Sequence, residues 1–191
     1  MTRNKDFDVE STLLKAMNVF WKYGYEKTSI QTLLDELGIH RKSMYDTFGG
    51  KHQLLVASVQ RYQQKMNDYL SYEIHRSDSA QAQLKNIFLL VIKKEEFKKG
   101  CLFIKVATEL SNHDSELRTM SERNIQKIED IFFDIIIRGQ KSGELSEEKD
   151  ARILAQYLMN AWTGLRVLVQ TTSDMHRLEN IVDETLRSLA R

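Results

Sequence analysis

The chain is 191 residues long, carries 28 Lys and Arg against 27 Asp and Glu, and is 41% hydrophobic. At ~100–200 residues per domain this allows one large domain or two small ones, and a net charge of +1 excludes a polycation that coats nucleic acid indiscriminately. It has no proline, where average usage of ~5% predicts roughly ten, and only eight glycines and one cysteine; turn-rich sandwiches and barrels, internal disulfides and all-cysteine zinc sites are disfavoured.

In chain order, the apolar residues recur at helical spacing. Leu13, Ala16, Met17, Phe20 and Trp21 form one face of a first helix that starts near Asp8 and stops at Gly24. Thr28-Ser29-Ile30-Gln31 matches a capping box and opens a second helix with Ile30, Leu33, Leu34 and Leu37 inward. Gly38-Ile39 turns the chain, and His40 through Phe48 form a third helix with Met44 and Phe48 inward, stopped by Gly49-Gly50. A long fourth helix runs from about Lys51 to the Tyr72–His75 region, and a fifth follows the polar Ser77-Asp78-Ser79 break. Residues 93–99 mix charges and read as a solvated helix end, and a sixth helix spans Cys101 to about Ser111. The seventh covers roughly Asp114 to Lys141, with Leu117, Met120, Ile125, Ile128, Ile131, Phe132, Ile135 and Ile136 buried. The eighth opens at Ser146-Glu147-Glu148 and the ninth at Asp174. The expected fold is all-α: an N-terminal three-helix domain over 1–52, then a continuous helix into a larger bundle over 53–191, about nine helices in all.

The apolar runs are far shorter than the ~18 residues that span a bilayer, and Met1–Asp6 leads into no apolar stretch. A cytoplasmic protein without a membrane partner is expected.

Two short helices joined by a glycine-containing turn are what a helix-turn-helix requires. The outward residues of the third helix, Arg41, Lys42, Ser43, Tyr45, Asp46 and Thr47, offer cations and hydroxyls, the groups that phosphates and base edges need. Residues 1–52 hold eight Lys/Arg against seven Asp/Glu, but from 40 to 52 the count is three against one.

On these residues the stretch Val9–Tyr62 resembles the TetR family of transcriptional regulators. The matching pieces are Ala16, Phe20, Gly24-Tyr25, Thr28-Ser29-Ile30, Leu37-Gly38-Ile39, Ser43-Met44-Tyr45, Phe48-Gly49-Gly50-Lys51 and Leu54-Leu55. Gly100-Cys101-Leu102 and Gly164-Leu165-Arg166 resemble a C-terminal subgroup. His40, Lys42 and Leu34 depart from the residues common at their positions. The resemblance implies a ligand-responsive regulator, a repressor released from a palindromic operator in double-stranded DNA by a small effector. It implies phosphate contacts from Thr28, Tyr45 and Lys51, Ser29 and Gln31 near the duplex, base reading by Arg41, Lys42, Ser43, Asp46 and Thr47, and a homodimer through helices eight and nine. The alternatives are a helical small-molecule carrier or interaction protein without DNA binding, or, within the class, a co-repressor-dependent regulator or an activator.

For the effector, Phe88, Ile92, Cys101, Ile104, Thr108, Phe132, Trp162 and Arg166 are candidate wall residues between helices of the bundle. Arg166 in an apolar stripe needs a partner, either Glu109 or an acidic ligand. Cys101 is either a reactive thiol at a helix start or a packed one. The five histidines show no metal-ligand spacing and no catalytic set appears, so neither a metal, a cofactor nor an enzymatic activity is expected.

Overall fold

A computed structural model describes residues 7–110 and 112–189. Among these it contains nine α-helices and no strand: α1 (Val9–Tyr23), α2 (Ile30–Leu37), α3 (Arg41–Phe48), α4 (Lys51–His75), α5 (Ala80–Lys93), α6 (Leu102–Leu110), α7 (Ser115–Lys141), α8 (Ala151–Leu168) and α9 (Met175–Arg187), with a 3₁₀ turn at Glu95–Lys99. No helix among the described residues is long and apolar enough to cross a membrane.

The chain forms two compact units: Met1–Met66 with Leu102–Arg118, and Asn67–Cys101 with Thr119–Arg191. This differs from the expected division at residue 52, because α6 and the first turn of α7 join the N-terminal helices.

In the first unit, Ala16, Phe20 and Trp21 of α1 are fully buried, together with Leu33, Met44, Leu54, Leu55 and Tyr62. Trp21 meets Tyr62 edge-on at 4.9 Å, and Tyr62 lies 5.9 Å from Phe103 of α6. Such aromatic pairs add about 0.5–1.5 kcal/mol beyond the area they bury, and they tie α6 into this core. In the second unit, Leu84, Ile87 and Val91 of α5, Phe132 and Ile136 of α7, Leu158 of α8 and Val182 of α9 are fully buried. In the last turn of α7, Gly139 has no room for a Cβ, which would stand 2.7 Å from both Ala80 Cβ and Leu145 Cδ1. Gly164 is the opposite case: it lies exposed inside α8, with nothing among the described residues within 4 Å of where a Cβ would be.

Four expectations are corrected. Ile125 is 44% exposed, because the buried face of early α7 runs through the polar Ser121 and Asn124. The cap of α2 is Ser29, whose hydroxyl accepts from Thr32 N–H at 2.9 Å, one residue later than the Thr28 box. Helix α8 starts at Ala151 and not at Ser146, since Asp150 accepts from the N–H groups of Arg152 and Ile153. Ser146 and Lys149 belong to a loop whose carbonyls accept from the buried Gln140 amide at 2.9 and 3.0 Å. Finally, residues 95–99 form a 3₁₀ turn in which Glu95, Lys98 and Lys99 are exposed, as expected of a solvated end, but Phe97 is fully buried.

Candidate nucleic-acid interface

Gly38 closes α2 in the left-handed region (φ 67°, ψ 33°), with its N–H donating to Leu34 O at 2.9 Å, a backbone state that costs glycine nothing. Ile39 and Met44 then seal α3 onto α2, at 9% and 0% exposure. With Met44 inward, the helical period turns Arg41, Lys42, Tyr45 and Asp46 to solvent, while Ser43 and Thr47 are half-buried. Phe48 is also half-buried and meets the ring of Phe7 at 6.5 Å. His40 occupies the cap position of α3 without a side-chain cap bond. The Tyr45 ring lies against Gly50, where a Cβ would come within 3.3 Å of Cε1, and Tyr45 is 45% exposed.

Lys51 is the first residue of α4, where free backbone N–H groups favour an anion. Its Nζ stands 4.0 Å over the ring of Tyr25, a cation–π contact. Partial burial lowers its ammonium pKa from the ordinary lysine value, against the opposing charges of Glu26 and Glu109. Burial raises the Tyr25 hydroxyl, helped by Glu26 and Asp114. Next to Lys51, His52 Nε2 meets Asp114 Oδ2 at 2.6 Å. The Leu117 N–H, and then His52, hold the Asp114 carboxyl below the ordinary carboxylate range.

Thr28 is not part of the exposed surface. It is fully buried, and its hydroxyl donates to Gly24 O at 2.5 Å; it braces the α1–α2 connection and has no side-chain oxygen to offer a phosphate. Ser29 and Gln31 are exposed, but Gln31 Nε2 donates to Asp35 Oδ1 at 2.8 Å.

Three residues that sequence reasoning left out border this region. Lys105 and Glu109 of α6 reach the end of α1 and the residues after it, and Asp114 reaches His52. Nothing in the sequence marks Lys105 or Asp114 for this region, and Glu109 offers itself there as a partner for Arg166 instead.

Of the effector candidates, Phe88, Ile92, Cys101, Phe132, Trp162 and Arg166 are all buried in the second unit. The rings of Phe88 and Phe132 lie tilted to one another at 6.0 Å, Phe132 meets Trp162 edge-on at 6.3 Å, and the Arg166 guanidinium lies 4.5 Å from the Trp162 ring and 5.2 Å from that of Phe97. Trp162 Nε1 is buried with no hydrogen-bond partner among the described residues. Ile104 and Thr108 belong to the first unit, and Thr108 is exposed, its hydroxyl donating to Ile104 O and Lys105 O. It is not a wall residue. Glu109, weighed in sequence as a partner for Arg166, gives its carboxylate to the Tyr25 and Glu26 N–H groups.

The family model described as "Bacterial regulatory proteins, tetR family" matches residues 13–58, and "Tetracyclin repressor-like, C-terminal domain" matches 79–185. An HTH-type transcriptional regulator of Bacillus subtilis (strain 168), YezE, is 37% identical over 99% of this chain and 100% of its own length. The HTH-type transcriptional repressor ComR of Escherichia coli (strain K12) is 27% identical over 97% of this chain and 90% of its own. Among solved structures, a cysteine mutant of the TetR family regulator CifR, complexed with 26-bp double-strand operator DNA, superposes with a TM-score of 0.87 at 25% identity, covering 98% of this chain and 99% of that one. Fold, turn and exposed third helix thus define a helix-turn-helix transcriptional regulator. The chain belongs to the TetR family.

Proposed function

We propose that this regulator is a repressor that holds a palindromic operator as a homodimer and is released by a small effector. One observation carries the DNA-binding part: α3 is locked by Met44 and Ile39 so that Arg41, Lys42, Tyr45 and Asp46 share one free face. Arg and Lys on such a face suit guanine edges, and Ser43, Thr47 and Asp46 can engage bases or phosphates. Tyr45 and Lys51 supply phosphate contacts, which fix register without reading sequence. Two copies would set their α3 helices in successive major grooves ~34–36 Å apart or somewhat wider.

For the dimer, α8 and α9 are the elements that would pair. Ile153, Tyr157 and Gly164 recur along one side of α8, and Ile153 and Tyr157 are 65% and 45% exposed. For the effector, the aromatic cluster around Trp162 and Arg166 is the region we assign: an acceptor atom on a ligand would satisfy the Trp162 indole N–H, and the apolar body would lie against Phe88, Ile92 and Phe132. An effector that swings the population from 1:99 to 99:1 must prefer one state by ~5.5 kcal/mol. The α4 helix, which runs through residues of both units, is the lever we assign. No catalytic step belongs to this reading, and the protein would act in the cytoplasm, beside the chromosome.

The test is fluorescence anisotropy with duplexes from the DNA flanking the protein's own coding region, in excess competitor, with the mass of the complex measured in parallel. Saturable binding of two chains per palindrome is expected. A protein that binds none of these duplexes above competitor, with its helices intact, is not the repressor described here.

A further inference from the structure

Helix α6 carries a cation and an anion one turn apart, and both reach the same junction, one just before Gly24 in the chain and one just after it. Lys105 Nζ donates to Trp21 O at 2.6 Å and to Lys22 O at 3.1 Å. These are carbonyls at the C-terminal end of α1, where the helix dipole favours a positive charge. Glu109 Oε2 accepts from Tyr25 N–H at 2.8 Å and Glu26 N–H at 3.3 Å, charge-assisted bonds about twice as strong as neutral ones. Between the two lies Gly24, at φ 82° and ψ 175°. A Cβ there would stand 2.1 Å from Glu109 Oε1, so the carboxylate occupies the space that any other residue would fill.

This places Tyr25 under direct control of α6. Its N–H is held by Glu109, its ring lies 6.2 Å from that of Phe20, and above that ring, at 4.0 Å, stands the Lys51 ammonium. The carboxylate of Glu109 also acts electrostatically on Lys51.

We infer that Glu109 is a positioning residue for DNA binding: through Tyr25, it sets where the Lys51 ammonium stands when it meets a phosphate. The inference rests on Lys51 as a phosphate contact, and it adds a residue of α6, outside the helix-turn-helix. A clamp that only stabilised the fold would lower the melting temperature without altering the electrostatics of binding. A clamp that acts through Lys51 changes the salt dependence, and its loss is not additive with loss of Lys51.

The experiment measures operator affinity of the full-length protein by anisotropy across a series of salt concentrations, for Glu109→Ala, Glu109→Gln, Lys51→Ala and the double variant Lys51→Ala/Glu109→Ala. We expect Lys51→Ala and Glu109→Ala each to weaken binding about tenfold and to flatten the salt slope by about 1, with the double variant within about twofold of either single one. Glu109→Gln keeps an acceptor oxygen for Tyr25 N–H and should stay within about threefold of the unmodified protein. Independent losses that multiply to about a hundredfold in the double variant, or an unchanged slope in Glu109→Ala, overturn the inference while leaving Lys51 as a contact. If Lys51→Ala itself leaves the slope intact, the phosphate assignment falls and takes the inference with it. Should Glu109→Ala fail to fold, Tyr25→Leu replaces it in the same cycle: it removes the ring under Lys51 while the backbone N–H remains for Glu109. The same tenfold loss and the same non-additivity are expected, and full retention of affinity refutes the proposed route.

Discussion

Threonine 28 and lysine 51 both stand beside a helix start, and residue type alone gives them the same promise: a polar group near an anion. Their surroundings separate them. The Thr28 hydroxyl faces inward and bonds Gly24 O, whereas Lys51 lies half-buried over Tyr25 with its ammonium at the rim. Replacing Lys51 by alanine should therefore weaken binding to all duplexes alike and reduce the salt slope by about 1. Substituting Arg41 or Lys42 should also change which bases are preferred, which binding to a randomised duplex pool followed by sequencing will read. Equal losses across all sequences for Arg41→Ala would show that this side chain reads no base. At this scale the sequence reveals what is exposed on α3, because one buried Met44 and a period of 3.6 decide it. It does not reveal Lys105 or Glu109, since their targets are backbone groups some 84 residues away, and a backbone group leaves no trace in residue identity.

Among the elements, the helices and their order follow from apolar spacing, and their boundaries depend on which polar side chain wins each cap. Ser29 takes the α2 cap because Thr28 is drawn inside, and Asp150 takes that of α8 because Ser146 is held in the loop, its N–H donating to Leu189 O. Early α7 misleads for a related reason: its inward face carries Ser121 and Asn124, so hydrophobicity points to Ile125 instead. Gly24 is the junction where local and tertiary demands coincide. Its backbone lies in a region essentially reserved for glycine, costing other residues about 1–3 kcal/mol, and Glu109 fills the space beside it. Gly24→Ala should lower the free energy of unfolding by at least that amount in urea denaturation. A variant within about 0.5 kcal/mol of the unmodified protein would mean that the α1–α2 connection relaxes freely around the added methyl.

At the scale of the whole molecule, stability should depend on acid. The Asp114 carboxyl is held below its ordinary value by Leu117 N–H and His52, so its pKa is lower folded than unfolded. That contribution is complete above the ordinary carboxylate range and is lost as pH falls through the folded value. Asp114→Asn should therefore melt lower than the unmodified protein at about pH 7, with the difference shrinking towards about pH 3. A gap that stays constant over that range would show that the pair's charge contributes nothing to folding. The division into units was the feature least visible in the sequence. A chain pattern shows that α4 is long, but only packing of Phe103 against Tyr62, together with the reach of α6 to the end of α1, assigns α6 to the N-terminal helices.

The bare spot at Gly164 has a meaning of its own. A glycine inside a helix costs about 1 kcal/mol relative to alanine, and here no neighbour among the described residues requires the omission. The requirement, if the protein pairs through α8, comes from the other copy, whose backbone can pass closer where no methyl intervenes. Gly164→Ala should then make each chain hardier in urea by up to about 1 kcal/mol when diluted to the single-chain state, yet loosen its self-association in sedimentation equilibrium. A variant that gains on both counts would indicate that the gap serves no twin. The loss of the first for the sake of the second is a trade that a solitary protein has no reason to make.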